Sequence, residues 1–288
     1  MLKFCTLFSG SSGNSAFIGN DTAKLLVDAG VTAKSIEHEL ALIDEDPRDI
    51  DVVLITHEHI DHVRGAGVLA RRYGMKIAVN RRTWYAMAAE VGKVDPAQLI
   101  FTDELNGSLT VGGLEIVPFP ISHDAADPVG YSISDRRHKI TVATDTGYLS
   151  PALHDYCSGS SAVLIEANHD LDMLEHGPYP KSLIARIRGK RGHMCNALCG
   201  EFAAELAESG TRAIIIGHLS NENNLPELAY ETVRRTMEEA GVRVVDHGDV
   251  IPPDFFSRSD SDGVNGATVP QTGLVVAPRY SHSKVILL

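Results

Sequence analysis

Histidines and aspartates are concentrated around residue 60, where their types and spacing suit metal binding. His57, His59, Asp61 and His62 fall within six residues, directly after the apolar run at residues 51–55. Imidazole nitrogens bind zinc and other transition metals, and a carboxylate adds a hard oxygen ligand. Because sites in α/β folds gather at the carboxyl ends of strands, this spacing predicts a metal site where a strand meets a helix.

Four further residues that could bind a metal each follow an apolar segment elsewhere in the chain: Asp28, His123, Asp145 and His218. Taken singly, each could equally be a turn or capping residue. Four such positions together favour a common site. We therefore expect these side chains to meet the histidines near residue 60.

The elements that would position these residues are strands and helices in alternation. Short apolar runs predict strands, and longer stretches with spaced apolar residues predict helices. The main predicted strands are residues 2–8, 24–27, 51–55, 76–79, 114–119, 129–134, 139–143, 162–165, 213–217 and 242–245. The main predicted helices are residues 61–73, 82–91, 196–209 and 225–240. This order predicts an α/β fold in which two mixed sheets pack face to face with helices outside, a four-layer αββα sandwich.

Composition excludes several classes of protein. The chain has 288 residues and a net charge of −12, which excludes a protein that coats nucleic acid through an overall basic surface. Its four cysteines are too few for a disulfide framework and fit a reducing compartment. The sequence has no apolar run of about 18 residues and no secretory leader, so we expect a cytoplasmic protein without a membrane span.

The C-terminal segment differs from the rest of the chain. Residues 257–288 are rich in serine, glycine and proline and show no periodicity. We expect them to form a mostly disordered tail with a strand at residues 284–288 and no catalytic role.

The pattern His57-x-His59-x-Asp61-His62, together with the four residues at other strand ends, resembles the signature of the metallo-β-lactamase superfamily. The resemblance extends from residue 1 to about residue 250. It implies the αββα fold and a hydrolase domain at residues 1–256. It also implies two divalent metal ions, Zn²⁺ or Mn²⁺, with Fe²⁺ as a further candidate.

The same resemblance assigns a role to each residue of the predicted site. It implies that one metal is held by His57, His59 and His123, that the second is held by Asp61, His62 and His218, and that Asp145 bridges both. Asp28 would support the ligand loop without binding metal. A hydroxide shared by the two metals would be the nucleophile, and Asp61 could also orient it.

A second resemblance is to the nuclease branch of this superfamily. In the tRNA 3′-processing enzymes, a histidine paired with an acidic residue stands where His193 stands, and Glu166 fits the acidic partner. This implies that His193 protonates the leaving oxygen while Glu166 holds its tautomer. In the alternative interpretation, His193 caps the helix that follows.

Residues 9–15, 166–170 and 217–224 together resemble the YycJ/WalJ group of bacterial proteins. That group implies a metal-dependent 5′-to-3′ DNA exonuclease linked to DNA mismatch repair. Six residues are expected to contact the substrate: Ser11, Asn14, His169, Arg191, Asn196 and Asn221.

Several of these residues could instead have a purely structural role. Ser11 and Asn14 lie in a Gly/Ser turn that could present backbone N–H groups to a phosphate or be only a tight turn. Arg191 ends a basic run at residues 181–191 that could bind phosphates or form a solvated face. Asn196 could cap the following helix.

The fold alone does not decide the substrate. The substrate could be RNA instead of DNA. A hydrolase of a small phosphodiester, a lactone or a thioester is an alternative, and so is a non-catalytic, metal-stabilised DNA-binding module.

Overall fold

The structure, a computed structural model, describes residues 1–246, 251–257, 261–262 and 268–288. Its strands are β1 (Lys3–Phe8), β2 (Ser15–Gly19), β3 (Lys24–Val27), β4 (Val52–Leu54), β5 (Lys76–Val79), β6 (Leu99–Phe101), β7 (Leu109–Val111), β8 (Leu114–Pro120), β9 (Val129–Ser134), β10 (Lys139–Ala143), β11 (Ala162–Glu166), β12 (Ala213–Gly217), β13 (Arg243–Val245), β14 (Ser261–Asp262), β15 (Thr268–Val269), β16 (Gln271–Val276) and β17 (Ile286–Leu287). Its α-helices are α1 (Ala33–Leu42), α2 (Ile60–Val63), α3 (Ala66–Tyr73), α4 (Arg81–Val91), α5 (Pro151–Cys157), α6 (Leu171–His176), α7 (Lys181–Ile187), α8 (Asn196–Glu208) and α9 (Pro226–Glu239). Short 3₁₀ helices cover Pro47–Asp49, Pro96–Gln98, Thr102–Glu104 and Pro253–Ser257.

Two mixed sheets form the body of the protein. The first has the strand order β17-β1-β2-β3-β4-β5-β6, and the second has the order β13-β16-β12-β11-β10-β9-β8-β7. Strands β3 to β6 run parallel, as do β10, β11, β12 and β16. Parallel neighbours present their carboxyl ends at the same edge of a sheet, where loops can bring side chains together.

Three apolar cores separate four layers. Ile215 of β12 belongs to the core between the sheets, whereas Ile214 and Ile216 belong to the core that includes residues of α8 and α9. A third core joins the first sheet to residues of α1, α3 and α4. Because side chains alternate along a strand, a strand covered on both faces must be apolar throughout, which accounts for the run AIIIG. The four-layer αββα arrangement expected from the sequence is confirmed.

Several predicted strands are observed with unchanged bounds, namely residues 24–27, 76–79, 129–134, 139–143 and 213–217. The single helix predicted at residues 61–73 is instead two helices, α2 and α3. Gly65 lies between them, where its backbone N–H donates to Ala29 O at 2.7 Å. A β-carbon at Gly65 would lie 2.5 Å from Val31 O, so a contact with a distant loop interrupts the helix.

The prediction that the segment after residue 257 is mostly disordered is wrong for part of the described chain, which forms strands instead. β16 lies inside the second sheet, between β12 and β13, and Leu274 on it is 1% exposed. β17 pairs with β1, inside the strand expected at residues 284–288. The partners of these short strands lie far away in the sequence, so no local pattern reveals them. Residues 1–256 therefore do not contain the whole second sheet, and the disorder predicted for residues 258–260 and 263–267 lies outside the described residues.

None of the helices in the described ranges combines the length and the apolar composition that a membrane crossing requires.

Candidate metal centre

The structure brings the seven predicted metal ligands into one cluster. It lies at the edge of the two sheets where strands end and loops begin. His57 and His59 lie in the loop after β4, and Asp61 and His62 lie in α2. The other three follow β8, β10 and β12, and they are His123, Asp145 and His218. Five of the seven side chains are buried, and those of His59 and Asp61 are half-buried.

Three histidines form the first group of the cluster. The ring centroids of His57 and His59 are 4.6 Å apart, and those of His57 and His123 are 5.0 Å apart. His123 Nε2 lies 3.3 Å from His59 Nδ1. Nitrogens of these three side chains lie close enough together to hold one metal ion.

A second group lies beside the first. Asp61 Oδ2 is 3.6 Å from His62 Nε2 and 3.7 Å from His218 Nε2. Asp145 lies between the groups, because its carboxylate is 3.4 Å from His62 Nε2, 3.3 Å from His218 Nε2 and 3.9 Å from His123 Nε2. The carboxylate of Asp145 is therefore within reach of both groups.

Hydrogen bonds to the outer nitrogens fix the orientation of the histidine rings. His62 Nδ1 donates to Asp28 Oδ2 at 2.8 Å, and His218 Nδ1 donates to Glu166 Oε2 at 3.2 Å. His123 Nδ1 donates to a backbone carbonyl, that of Gly192, at 3.2 Å. Each bond places the proton on Nδ1 and leaves the lone pair on Nε2, the atom that faces the cluster.

Thr56, which no sequence motif singled out, adds to this support. Its backbone N–H donates to Asp28 Oδ1 at 2.9 Å, and its hydroxyl donates to Asp28 Oδ2 at 2.8 Å. The same hydroxyl lies 3.1 Å from His57 Nδ1 and can accept its proton. Asp28 thus lies behind the ligand loop, as the sequence predicts, and it acts through Thr56 and His62.

The donor atoms fit divalent metal ions. Three buried atoms of the cluster lack a hydrogen-bond partner among the described residues: His57 Nε2, His218 Nε2 and Asp145 Oδ2. A buried polar atom without a partner is costly, so such atoms are rare unless they bind a ligand or an ion. Imidazole nitrogen and carboxylate oxygen are ligands that Zn²⁺, Mn²⁺ and Fe²⁺ accept.

The cluster has a strongly negative local potential. Burial lowers the pKa of His62, but the carboxylates of Asp28, Asp145 and Asp61 outweigh it and raise this pKa to about 9. For His57, burial and the neighbouring histidines together hold the pKa well below its ordinary value, which keeps its lone pair available. The raised pKa of His62 shows that the surrounding carboxylates attract positive charge, whether a proton or a metal ion, and the lowered pKa of His57 keeps that imidazole neutral.

Three of the cluster's residues have unusual backbone conformations. Four non-glycine residues in the described ranges have positive φ, and three of these are Asp28 at 62°, Asp145 at 58° and His218 at 53°. Left-handed conformations are costly for such residues and are concentrated at functional sites. Glycine is also required at position 30, because a β-carbon there would lie 1.6 Å from Asp61 O. It allows the loop after β3 to lie against the ligand loop.

His193 lies at the edge of the cluster and is paired with Glu166, as the sequence predicts. His193 Nδ1 donates to Glu166 Oε2 at 3.0 Å, which leaves Nε2 available to a substrate. Glu166 is buried and also accepts from the backbone N–H groups of Thr146 at 2.7 Å and Met194 at 2.9 Å. Burial lowers the pKa of His193, but Glu166 outweighs this effect and raises it. The alternative in which His193 caps a helix is excluded, because the cap of α8 is Cys195.

A cavity of about 160 Å³ adjoins His193, whose side chain is 20% exposed. Its wall includes Ser11, Tyr179, Leu183 and Ile187. Of these residues, the sequence predicts only Ser11. The short helix α7, which carries Leu183 and Ile187, was not predicted because the basic residues around it obscure its apolar pattern.

Two other predicted substrate residues lie close to the cluster. The side-chain nitrogen of Asn14 is 3.1 Å from His62 Nε2, and its side-chain oxygen accepts from Gly10 N at 2.9 Å. Arg191 donates from Nε to His123 O at 3.1 Å. Arg191 therefore braces the loop of a candidate ligand.

The remaining three predicted substrate residues lie elsewhere. His169 and Asn196 are each 1% exposed, so a substrate does not reach them in this structure. Asn196 exchanges hydrogen bonds with Asn224 at 2.8 and 3.0 Å, and it does not cap α8. The prediction that it caps that helix is wrong, because helix α8 begins at Asn196 itself. Asn221 is exposed, and its amide donates to Glu222 Oε1 at 3.2 Å.

Comparison with known proteins agrees with this geometry. The metallo-beta-lactamase superfamily matches residues 9–187 of the chain. Exodeoxyribonuclease YycJ of Bacillus anthracis is 39% identical over 243 residues, which cover 84% of this chain and 92% of that protein. Exodeoxyribonuclease WalJ of Streptococcus pneumoniae is 42% identical over 245 residues, which cover 84% of this chain and 90% of that protein.

Solved structures agree on the fold. The crystal structure of the metallo-beta-lactamase fold protein YhfI from Bacillus subtilis has a TM-score of 0.63 and 13% identity, and the match covers 99% of both chains. At this level of identity the likeness concerns the fold alone.

Proposed function

The chain belongs to the metallo-beta-lactamase superfamily, and from that premise we propose that it is a metal-dependent exodeoxyribonuclease that acts at the cluster described above. One observation carries the proposal. All seven candidate ligands and the His193–Glu166 pair meet in one cluster, in a chain whose exodeoxyribonuclease relatives match it over 84% of its length.

Two divalent ions would be held by the two groups of side chains. His57, His59 and His123 would hold one, Asp61, His62 and His218 would hold the other, and Asp145 would contact both. Zn²⁺ and Mn²⁺ are the first candidates, and Fe²⁺ is the next. Such ions, when bound, lower the pKa of water and neutralise charge on a phosphodiester.

The protein's own residues then account for the proton transfers. Asp61 is placed to accept a hydrogen bond from the attacking water and orient it toward phosphorus. The water oxygen bonds to phosphorus, the bond from phosphorus to the leaving oxygen breaks, and that oxygen takes the proton of His193 Nε2. The proton lost by the water restores His193, so one water is consumed for each bond cleaved. Glu166 stabilises the protonated imidazole and holds its orientation.

DNA would be held by local charge, because the chain as a whole is acidic. The basic run at residues 181–191 lies beside the cavity, but its members differ in what they contact. Arg186 pairs with Asp124, Arg188 lies 3.8 Å from Glu175, and Lys190 lies over the ring of Tyr148 at 5.1 Å. Lys190 is exposed and makes no ion pair with the described residues, so it could meet a phosphate without first losing one.

The proposal is tested by incubating the purified protein with DNA and RNA labelled at either the 5′ or the 3′ end, over a panel of Zn²⁺, Mn²⁺ and Fe²⁺. We expect stepwise shortening of DNA from the 5′ end. His59→Ala should abolish cleavage, whereas His38→Ala, which removes an exposed histidine on α1, should not. If the wild-type protein leaves DNA intact with every metal, the proposal is wrong.

A further inference from the structure

The cavity beside His193 has a lining of two chemically different kinds. Leu183 and Ile187 are four residues apart on α7, so they lie on one face of that helix, and Tyr179 precedes it. All three side chains are half-buried and line the cavity. Together they give this part of the lining an apolar and aromatic surface, beside Arg186 of the same helix, which pairs with Asp124.

Most of the other residues that line the cavity are polar, but several of their groups already make hydrogen bonds within the protein. The amide of Asn168 donates to His218 O at 3.0 Å, and the hydroxyl of Ser220 accepts from Asn223 N at 3.2 Å. Asp124 and Arg186 also line the cavity and pair with each other, so most of its polar side chains are already bound to other protein groups. An occupant of this cavity would be held by packing against the apolar wall more than by hydrogen bonds.

The position of the cavity identifies which part of a substrate would enter it. His193 delivers its proton to the leaving oxygen, so the group on the cavity side of the phosphorus is the one released. In a 5′-to-3′ exonuclease that breaks the bond between phosphorus and the 3′ oxygen of the first nucleotide, this group is the terminal nucleotide. Its base offers a flat aromatic face, and stacking on a protein aromatic ring tolerates every base.

We propose that the cavity binds the terminal nucleotide of the DNA strand, with its base packed against Tyr179, Leu183 and Ile187. This inference rests on the proposed function and adds the substrate contact that selects a strand end. Tyr179 is then a substrate-binding residue, and terminal bases of all four kinds are accepted with similar efficiency.

The test combines a substrate change with a protein change. The substrate carries an abasic analogue in place of its terminal nucleotide, and the variants are Tyr179→Ala and Tyr179→Phe. With the wild-type protein, loss of the terminal base should lower kcat/KM about tenfold or more. Tyr179→Ala should lower kcat/KM on normal DNA by a similar factor, mainly through KM, and should respond much less to loss of the base.

Controls separate packing from a general structural effect. Tyr179→Phe keeps the ring and should retain the wild-type response to the abasic end. Tyr85→Ala removes an aromatic ring that is 71% exposed on α4 and should change nothing. A terminal 2-aminopurine should be quenched on binding to His193→Ala, which leaves Tyr179 in place, and less so when Tyr179→Ala is added.

The outcomes distinguish the two proposals. If the wild-type protein cleaves DNA but processes the abasic and normal ends equally, or if Tyr179→Ala still discriminates fully between them, the nucleotide cavity is wrong while the nuclease stands. If the wild-type protein cleaves no DNA, the proposed function itself fails.

Discussion

Glu166→Gln is expected to damage metal binding and proton transfer together. Glu166 Oε1 accepts from the backbone N–H groups of Thr146 and Met194, and its Oε2 accepts from Nδ1 of both His193 and His218. Glutamine keeps the volume, and its oxygen can still accept from the two backbone groups. Its NH₂ group then faces both imidazoles. Because an amide nitrogen donates, each ring must offer a lone pair at Nδ1 and carry its proton on Nε2.

The effect of this change of tautomer on metal affinity and on kcat can be estimated. A protonated Nε2 on His218 cannot bind a metal, and loss of an outer partner of a metal-binding histidine lowers metal affinity about 10- to 100-fold. This corresponds to about 1.4–2.7 kcal/mol. Loss of the carboxylate also removes the group that stabilises protonated His193, and general acid catalysis contributes about 10²- to 10⁴-fold. We therefore expect kcat to fall at least about 100-fold, even at saturating metal.

The assay pairs calorimetric titration of metal into the metal-free protein with the rate of DNA cleavage. His193→Ala separates the two effects, because it should lose activity while it retains metal affinity. Glu45→Gln is the matched control, since Glu45 is a buried carboxylate that pairs with Lys3 and Lys24 at 2.8 Å, outside the cluster. Unchanged metal affinity and rate in Glu166→Gln would refute the shared role of this carboxylate.

Three further predictions concern stability and accessibility. Leu274→Ala in β16 should lower the free energy of unfolding by about 2–5 kcal/mol in urea titration, whereas Leu225→Ala, at a side chain that is 54% exposed, should change it by less than about 0.5 kcal/mol. An equal, small effect of both would show that β16 does not pack in the sheet. Burial raises the pKa of Cys5 to about 11 and that of Cys157 to about 12, so in the native protein Ellman's reagent should modify only the half-buried Cys195 readily, and all four thiols should react after denaturation. Fast reaction of several native thiols would contradict this. Finally, chelation should lower the melting temperature and added Zn²⁺ or Mn²⁺ should restore it, because an ion that binds only the folded state stabilises it; an unchanged melting temperature would argue against metal binding in the cluster.

The sequence predicted where the chemistry-bearing residues would meet, and the reason is topological. Asp28, Asp145 and His218 each follow an apolar run, and parallel strands deliver such positions to one edge of a sheet. The pattern identified the strands because residues buried on both faces must be apolar along their whole length. That these side chains bind metal stays a prediction.

The substrate side was harder to predict. Helices α6 and α7 have six and seven residues, too few for a periodic pattern to stand out from the surrounding charges. Tyr179 therefore carried no signal in the sequence. His169 and Asn196 were selected from a motif, and burial, which a motif does not encode, removes them from the cavity.

The backbone also explains why several candidate ligands directly follow strands, whereas part of the cavity wall lies on a short helix. A left-handed conformation costs about 1–3 kcal/mol per residue and persists only where the surroundings enforce it. Asp28 is held by a bond from its N–H to Leu54 O at 2.8 Å, and His218 is held by one to Ser9 Oγ at 2.9 Å. These bonds hold the backbone of both residues in place. Leu183 and Ile187 are only half-buried on a seven-residue helix, so they can adjust to different bases. This division suits an exonuclease, because the groups that cleave the bond meet the same phosphodiester each time, while the wall meets a different base.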